Sequence, residues 1–132
     1  LGFTSNEKSR SDRFIKYERA NTIPVLIDAG LSKEDCFLIL EEAEIDLPYI
    51  YKLNYPNANC IGCVKSSSPT YWNLVRKTFP EIFKQRAEQS RRIGCKLVKY
   101  KGKRIFLDEL PEDAKGGKIK SHECGIFCET KI

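Results

Sequence analysis

The sequence predicts an α/β chain that is mostly helical, with a small sheet or hairpin and a cysteine-rich metal site. Three observations carry this. Capped segments with apolar residues at helical spacing recur through the first ninety or so positions. A single stretch, Lys96 to Leu107, has the β-branched and aromatic alternation of paired strands. The six cysteines include two close pairs, Cys60-Ile61-Gly62-Cys63 and Cys124-Gly125-Ile126-Phe127-Cys128.

Thr4-Ser5-Asn6-Glu7 is a capping-box pattern, with Thr4 as N-cap and Glu7 reaching back. A helix is expected to about Ala20, carrying Glu7, Arg10, Arg13, Phe14 and Tyr17. Thr22 to Ile27 reads as a short strand, at an edge or simply extended, because Pro24 has no amide to donate. Asp28-Ala29-Gly30 is a turn. Ser32 caps the next helix, with Glu34 and Asp35 in the first turn, where the helix dipole favours acids. That helix is expected to about Glu44, with Cys36, Phe37, Leu40 and Ala43 on one face.

Leu47 to Asn59 reads as irregular, with Pro48, Pro56 and three tyrosines. Ser68-Pro69 is an N-cap followed by proline at the first helical position, and the helix carries Trp72, Val75 and Phe79. Thr78-Phe79-Pro80-Glu81 repeats the capping-box pattern, so a break and a new helix from Pro80 to Arg92 are expected, closed by Gly94. Leu97 to Tyr100 and Arg104 to Leu107 flank Lys101-Gly102-Lys103 as a hairpin. Pro111 to Ser121, polar and containing Gly116-Gly117, reads as a mobile loop before the second thiol pair.

A length of 132 residues suits a single domain, 1–132, that buries roughly 70% of the surface of its unfolded chain. Apolar residues at 41% and charged residues at 31% exclude a disordered chain. The longest apolar run, Cys36 to Leu40, is too short to span a bilayer. Leu1-Gly2-Phe3-Thr4 has neither the basic flank nor the apolar stretch of a signal peptide, so a cytoplasmic location is expected. The chain opens without an initiator Met and is expected to be part of a longer protein.

Two thiol pairs far apart in sequence suit a four-thiolate site, because each tight turn presents two sulfurs to one ion or cluster. Cys60, Cys63, Cys124 and Cys128 are the candidate ligands, and zinc and an iron–sulfur cluster both accept four thiolates. A redox dithiol, or plain buried or disulfide-bonded cysteines, are the other readings. Lys65 and Lys118 to Lys120 would offset part of the thiolate charge, while Cys36 and Cys95 read as core thiols.

Net charge is +5, and Arg91 to Arg104 holds seven Lys/Arg and no acid. This is either a solvated hairpin and helix end or a surface for nucleotide phosphates, sulfate or nucleic acid. Regularly placed aromatics are lacking, which puts nucleic acid below the small anions. Glu7, Arg10 and Arg13 at i, i+3 and i+6 form either a ladder of ion pairs or a pair of guanidiniums for a phosphate or sulfate. Ser66-Ser67-Ser68 opens a helix and reads first as a cap. His122, the single histidine, reads as a bystander beside the tail.

Glu123-Cys124-Gly125-Ile126 resembles the C-terminal ECG(I/L)H motif of phosphoadenosine phosphosulfate (PAPS) reductases, in which the Cys is the nucleophile. The likeness extends through Gly2-Phe3-Thr4 with Glu7, Arg10 and Arg13, Leu26 to Leu31, Asn59 to Lys65, Tyr71-Trp72-Asn73, Phe79-Pro80-Glu81 and Arg104 to Leu110. In order and kind these segments resemble a phage- and bacteria-associated subgroup of PAPS reductase-like proteins in the adenine nucleotide alpha-hydrolase superfamily. The resemblance covers the C-terminal portion of such a protein. The family's N-terminal SGGxDS-type nucleotide loop has no counterpart here, and Phe127 followed by Cys128 stands where the motif has His.

The resemblance implies an enzyme that binds an adenine nucleotide and acts in sulfur transfer or sulfonucleotide reduction, with a dithiol as electron donor. Glu7, Arg10 and Arg13 would face the nucleotide or its sulfate. Cys124 is the nucleophile only if it is not a metal ligand, because a closed four-thiolate site occupies its sulfur. Without the nucleotide loop, these 132 residues alone are expected to be inactive. The alternative is a zinc-stabilised binding module that turns its basic surface to nucleic acid or a protein partner.

Overall fold

The computed structural model describes residues 1–117 and Ile119 of the chain. About half of them are helical, and one two-stranded antiparallel sheet completes the regular structure, so the chain is α/β but less helical than the sequence predicts. The chain divides into two compact units, Leu1–Pro48 and the residues from Tyr49 onward.

In the first unit, a 3-10 turn, Ser5–Glu7, leads into α1, Lys8–Tyr17, followed by α2, Val25–Asp28, and α3, Lys33–Glu42. The expected box at Thr4 is present in part: Glu7 Oε2 accepts from the Thr4 amide and hydroxyl, each at 3.3 Å. The box at Ser32 is complete. Asp35 accepts from the Ser32 amide at 2.8 Å, while its own amide donates to Ser32 Oγ at 3.1 Å. The bonds from Ser32 hold the Asp35 carboxyl below its usual range.

The strand expected at Thr22 to Ile27 is instead the single helical turn α2. Pro24, the apparent strand-breaker, is its N-cap, and its carbonyl accepts from the amides of Ile27 (2.9 Å) and Asp28 (3.0 Å). Among the described residues, those around Pro24 have no neighbouring strand to pair with, and the proline's φ of −88° suits a helix start as well as an edge strand.

In the second unit, α4 (Tyr49–Lys52), α5 (Pro69–Thr78) and α6 (Pro80–Arg92) precede β1 (Val98–Tyr100), β2 (Lys103–Ile105) and a 3-10 turn, Leu107–Glu109. Val98 pairs with Ile105, Lys99 with Arg104 and Tyr100 with Lys103. The connecting Lys101 and Gly102 both have positive φ, 46° and 79°, as a tight hairpin turn matched to strand twist requires. Trp72 and Val75 of α5, Phe83 and Ala87 of α6, Val98 of β1 and Leu107 meet in the core of this unit.

The break at Phe79-Pro80 is where the sequence places it, but Thr78 is not the cap. Phe79 is the N-cap of α6, and the Thr78 hydroxyl donates back to Leu74 O at 2.7 Å inside α5. The stretch from Pro111 is not free as far as residue 117. Asn73 Nδ2 donates to Pro111 O and Ala114 O, both at 2.9 Å, and the Gly116 amide donates to Thr70 Oγ1 at 2.9 Å. Ala114 is buried, and Gly116 passes so close to Pro69 that an added Cβ would lie 2.5 Å from its Cδ.

Four helices end in the same way, each by a pair of bonds around one left-handed residue. For α2 the pair is Leu31 N–H to Leu26 O (2.8 Å) and Gly30 N–H to Ile27 O (2.9 Å). Gly30, Asn54 and Gly94 serve α2, α4 and α6; α3 uses Glu44, at φ 54°. A side chain at such a backbone angle is strained. Glu44→Gly is therefore expected to stabilise the protein by about 0.5–1 kcal/mol, read from urea denaturation; an unchanged or lower midpoint contradicts the strain.

Candidate thiolate site

Cys60 and Cys63 stand at the two ends of one turn, whose Gly62 has φ 71°. No side chain would fit at that glycine: a Cβ there would meet Ile82 Cγ2 at 2.7 Å and Arg86 at 3.4 Å. Cys60 is exposed and Cys63 half-buried, and both are thiols.

The turn is held from beneath by α5 and α6. The Tyr71 hydroxyl accepts from the Cys63 amide at 2.9 Å and donates to Cys60 O at 3.2 Å. Arg86 Nε donates to Gly62 O at 3.1 Å, and its Nη1 is fixed on Gln89 Oε1 at 2.6 Å. One step further on, Trp72 Nε1 donates to Ser66 O at 2.8 Å, and the Ser66 amide donates to Cys63 O at 3.0 Å.

Ser68 and Pro69 produce this arrangement by setting where α5 starts. Ser68 Oγ accepts from the Tyr71 amide at 3.4 Å, which puts Tyr71 and Trp72 on the first turn. Tyr71 is 5% exposed, so its hydroxyl must find partners within the protein. Burial pushes the Tyr71 phenol above the usual tyrosine range, keeping it a neutral donor. Tyr55 stands edge-on to Tyr71 at 6.3 Å, and its hydroxyl meets Thr78 Oγ1 at 2.8 Å. Cys63 and Tyr71 border a cleft of about 10 Å³, room for one water, with Tyr55, Asn59 and Ile119 among its walls.

Cys124 and Cys128, with Glu123, His122, Lys118 and Lys120, lie outside the described residues. Among the described residues, no three Cys, His, Asp or Glu side chains converge to hold a metal. The described part of the candidate site is thus a two-thiol turn. Cys95 departs from the core role expected of it: it is exposed in the turn that closes α6, and Cys36 is only half-buried.

Glu7 and Arg10 are brought together in the first unit. Arg10 Nη1 donates to Glu7 Oε1 at 2.7 Å, and its guanidinium carbon lies 5.4 Å from the Phe3 ring centroid. Glu7 thus holds the Thr4 cap with one oxygen and Arg10 with the other. Arg13, one turn on in α1, is exposed and is also engaged. Of the basic run, all seven side chains are exposed. Arg91 is paired with Asp108 (2.9 Å) and Glu109 (3.0 Å) and sits 4.0 Å over Phe106.

No helix among the described residues is long and apolar enough to cross a membrane. Compared with protein-family models, curated proteins and solved structures, the chain matches none.

Tyr71 is the residue of this site whose role the sequence does not mark. Its distance of eight and eleven positions from the thiols carries no sequence signal. Gly62→Ala should cost about 1–3 kcal/mol through backbone strain and overpacking against Ile82, seen as a lower urea midpoint; a neutral result contradicts the close approach. Burial also raises the Tyr55 phenol above 10.0. The fold favours its protonated form, so this stability is complete below pH 10 and lost as pH rises through the raised value. The melting temperature should fall more steeply above pH 10 for the wild type than for Tyr55→Phe; parallel curves would refute it.

Proposed function

We propose that this chain is a metal–thiolate protein and the C-terminal part of a PAPS reductase-like enzyme, acting on an adenine nucleotide in sulfur transfer or sulfonucleotide reduction. The observation that supports it is the Cys60–Cys63 turn, two thiols presented on a backbone that four side-chain bonds hold in place. Cys124 and Cys128 complete the ligand set in this reading. Zinc would supply a structural tie, and an iron–sulfur cluster would supply one-electron chemistry.

In the intact enzyme Glu7, Arg10 and Arg13 bind the nucleotide or its sulfate, with guanidinium groups matched to oxyanions. If Cys124 is free of metal, its thiolate attacks the sulfonate sulfur. The bond from sulfur to the phosphate oxygen breaks, and the nucleotide leaves with that electron pair. An outside dithiol then attacks the cysteine sulfur, releases sulfite and is left as a disulfide.

The exposure of the seven basic residues from Arg91 to Arg104, of which Arg91 is already ion-paired, favours a second reading, a zinc-stabilised module that binds nucleic acid or a protein partner. Its signature is an affinity that falls steeply with salt, because each neutralised phosphate releases counterions.

The test is metal content with a visible spectrum, on protein purified without oxygen. Iron and sulfide with a brown colour support the redox enzyme and remove Cys124 from the nucleophile role. One zinc per chain, colourless, supports a structural thiolate site. No metal, together with fast alkylation of Cys124, overturns the four-thiolate assignment.

A further inference from the structure

We propose that Tyr71 and Arg86 are positioning residues for the thiol pair, fixing the shape of the Cys60–Cys63 turn before any ion binds. This rests on the four-thiolate reading. A metal accepts sulfurs only within a narrow range of distance and angle, and a free Cys-x-x-Cys segment samples many arrangements. Here the two cysteines share one clamp: a single buried hydroxyl spans the carbonyl of Cys60 and the amide of Cys63. The hydroxyl has one hydrogen to give, and Cys60 O receives it; a lone pair takes the Cys63 amide.

The clamp is itself rigid. Tyr71 is wedged between Tyr55 at 6.3 Å and Trp72 at 5.2 Å, both edge-on. Arg86 grips the middle of the turn at Gly62 O, with its guanidinium oriented by Gln89. It also places a permanent cation against a turn whose two sulfurs become anions on metal binding. Partners that orient metal ligands in this way govern affinity without touching the ion.

The experiment is an anaerobic cobalt(II) titration of the full chain, as wild type, Tyr71→Phe and Arg86→Gln, with hydrogen exchange at the Cys63 amide and melting of the metal-free proteins. Tyr71→Phe keeps the ring and removes only the hydroxyl. The expected result is a roughly 10–100-fold loss of cobalt affinity in each variant, with a shifted ligand-field spectrum. Cys63 exchange should also be faster in Tyr71→Phe, and metal-free melting little changed. A merely structural role would move the melting and leave the spectrum alone. If Tyr71→Phe does not fold, Arg86→Gln decides the point. Variants with wild-type affinity and spectrum overturn the positioning role while the metal reading stands. A wild type that takes no cobalt overturns the metal reading, and the positioning role with it.

Discussion

The second unit depends on the burial of Tyr71 and Trp72 side by side on the first turn of α5. Trp72 is fully buried among Val75, Phe83, Val98 and Leu107, the largest side chain in that core. An indole N–H in such a place needs an acceptor, and Ser66 O supplies it. Tyr71 places its hydroxyl under the thiol turn for the same reason. The loop is therefore tied to the helix by the polar edges of the two aromatics that build the core. β1 secures the other side, where the Lys99 amide donates to Ser67 O at 2.9 Å. Loss of either aromatic ring would act on packing and on the thiol turn together.

The sequence is most informative where a local device sets the structure. Ser32 and Ser68 mark their helices because a side-chain oxygen beside free amides is a local preference. The hairpin is legible because Lys101-Gly102 interrupts two β-rich runs. Legibility fails where a distant contact decides. Pro111 to Gly117 reads as a loop from its composition, yet Asn73 and Thr70, some forty positions earlier, hold its backbone on α5. Pro24 misleads for another reason: the same residue serves an edge strand or a helix start, and only the absence of a strand partner separates them. In the thiol site the spacing identifies Cys60 and Cys63, whereas the clamp from Tyr71 belongs to the tertiary fold.

The first unit is held by a different kind of force. Among its residues only Phe3, Thr4 and Ser11 are buried. Leu38, Ile39 and Ile45 remain about half exposed, although the apolar run of α3 is the longest in the chain. Its order comes from short-range devices: the Ser32–Asp35 box, the Glu7 bridge between Thr4 and Arg10, and the paired closures of α2 and α3. Each is worth about 1 kcal/mol or less. Glu7 is the busiest of these groups, and any anion taken by Arg10 competes with the carboxylate already on it.

That contrast bears on what a metal would do here. In a minimal zinc finger, the binding energy of the ion is the folding energy, because the chain buries too little without it. The second unit has its own apolar core under the thiol turn, and the turn's backbone bonds are satisfied by protein groups alone. The core of the unit therefore does not depend on an ion at Cys60 and Cys63, and such an ion would act mainly on whatever supplies the remaining ligands. If these are Cys124 and Cys128, the site's work is to fasten the segment that contains the ECGI sequence to the floor formed by α5 and α6. A cluster there would put its electrons beside that segment; zinc would only hold it. In both cases Tyr71, through its grip on both cysteine backbones, would couple the packing of the core to the geometry of a bound ion.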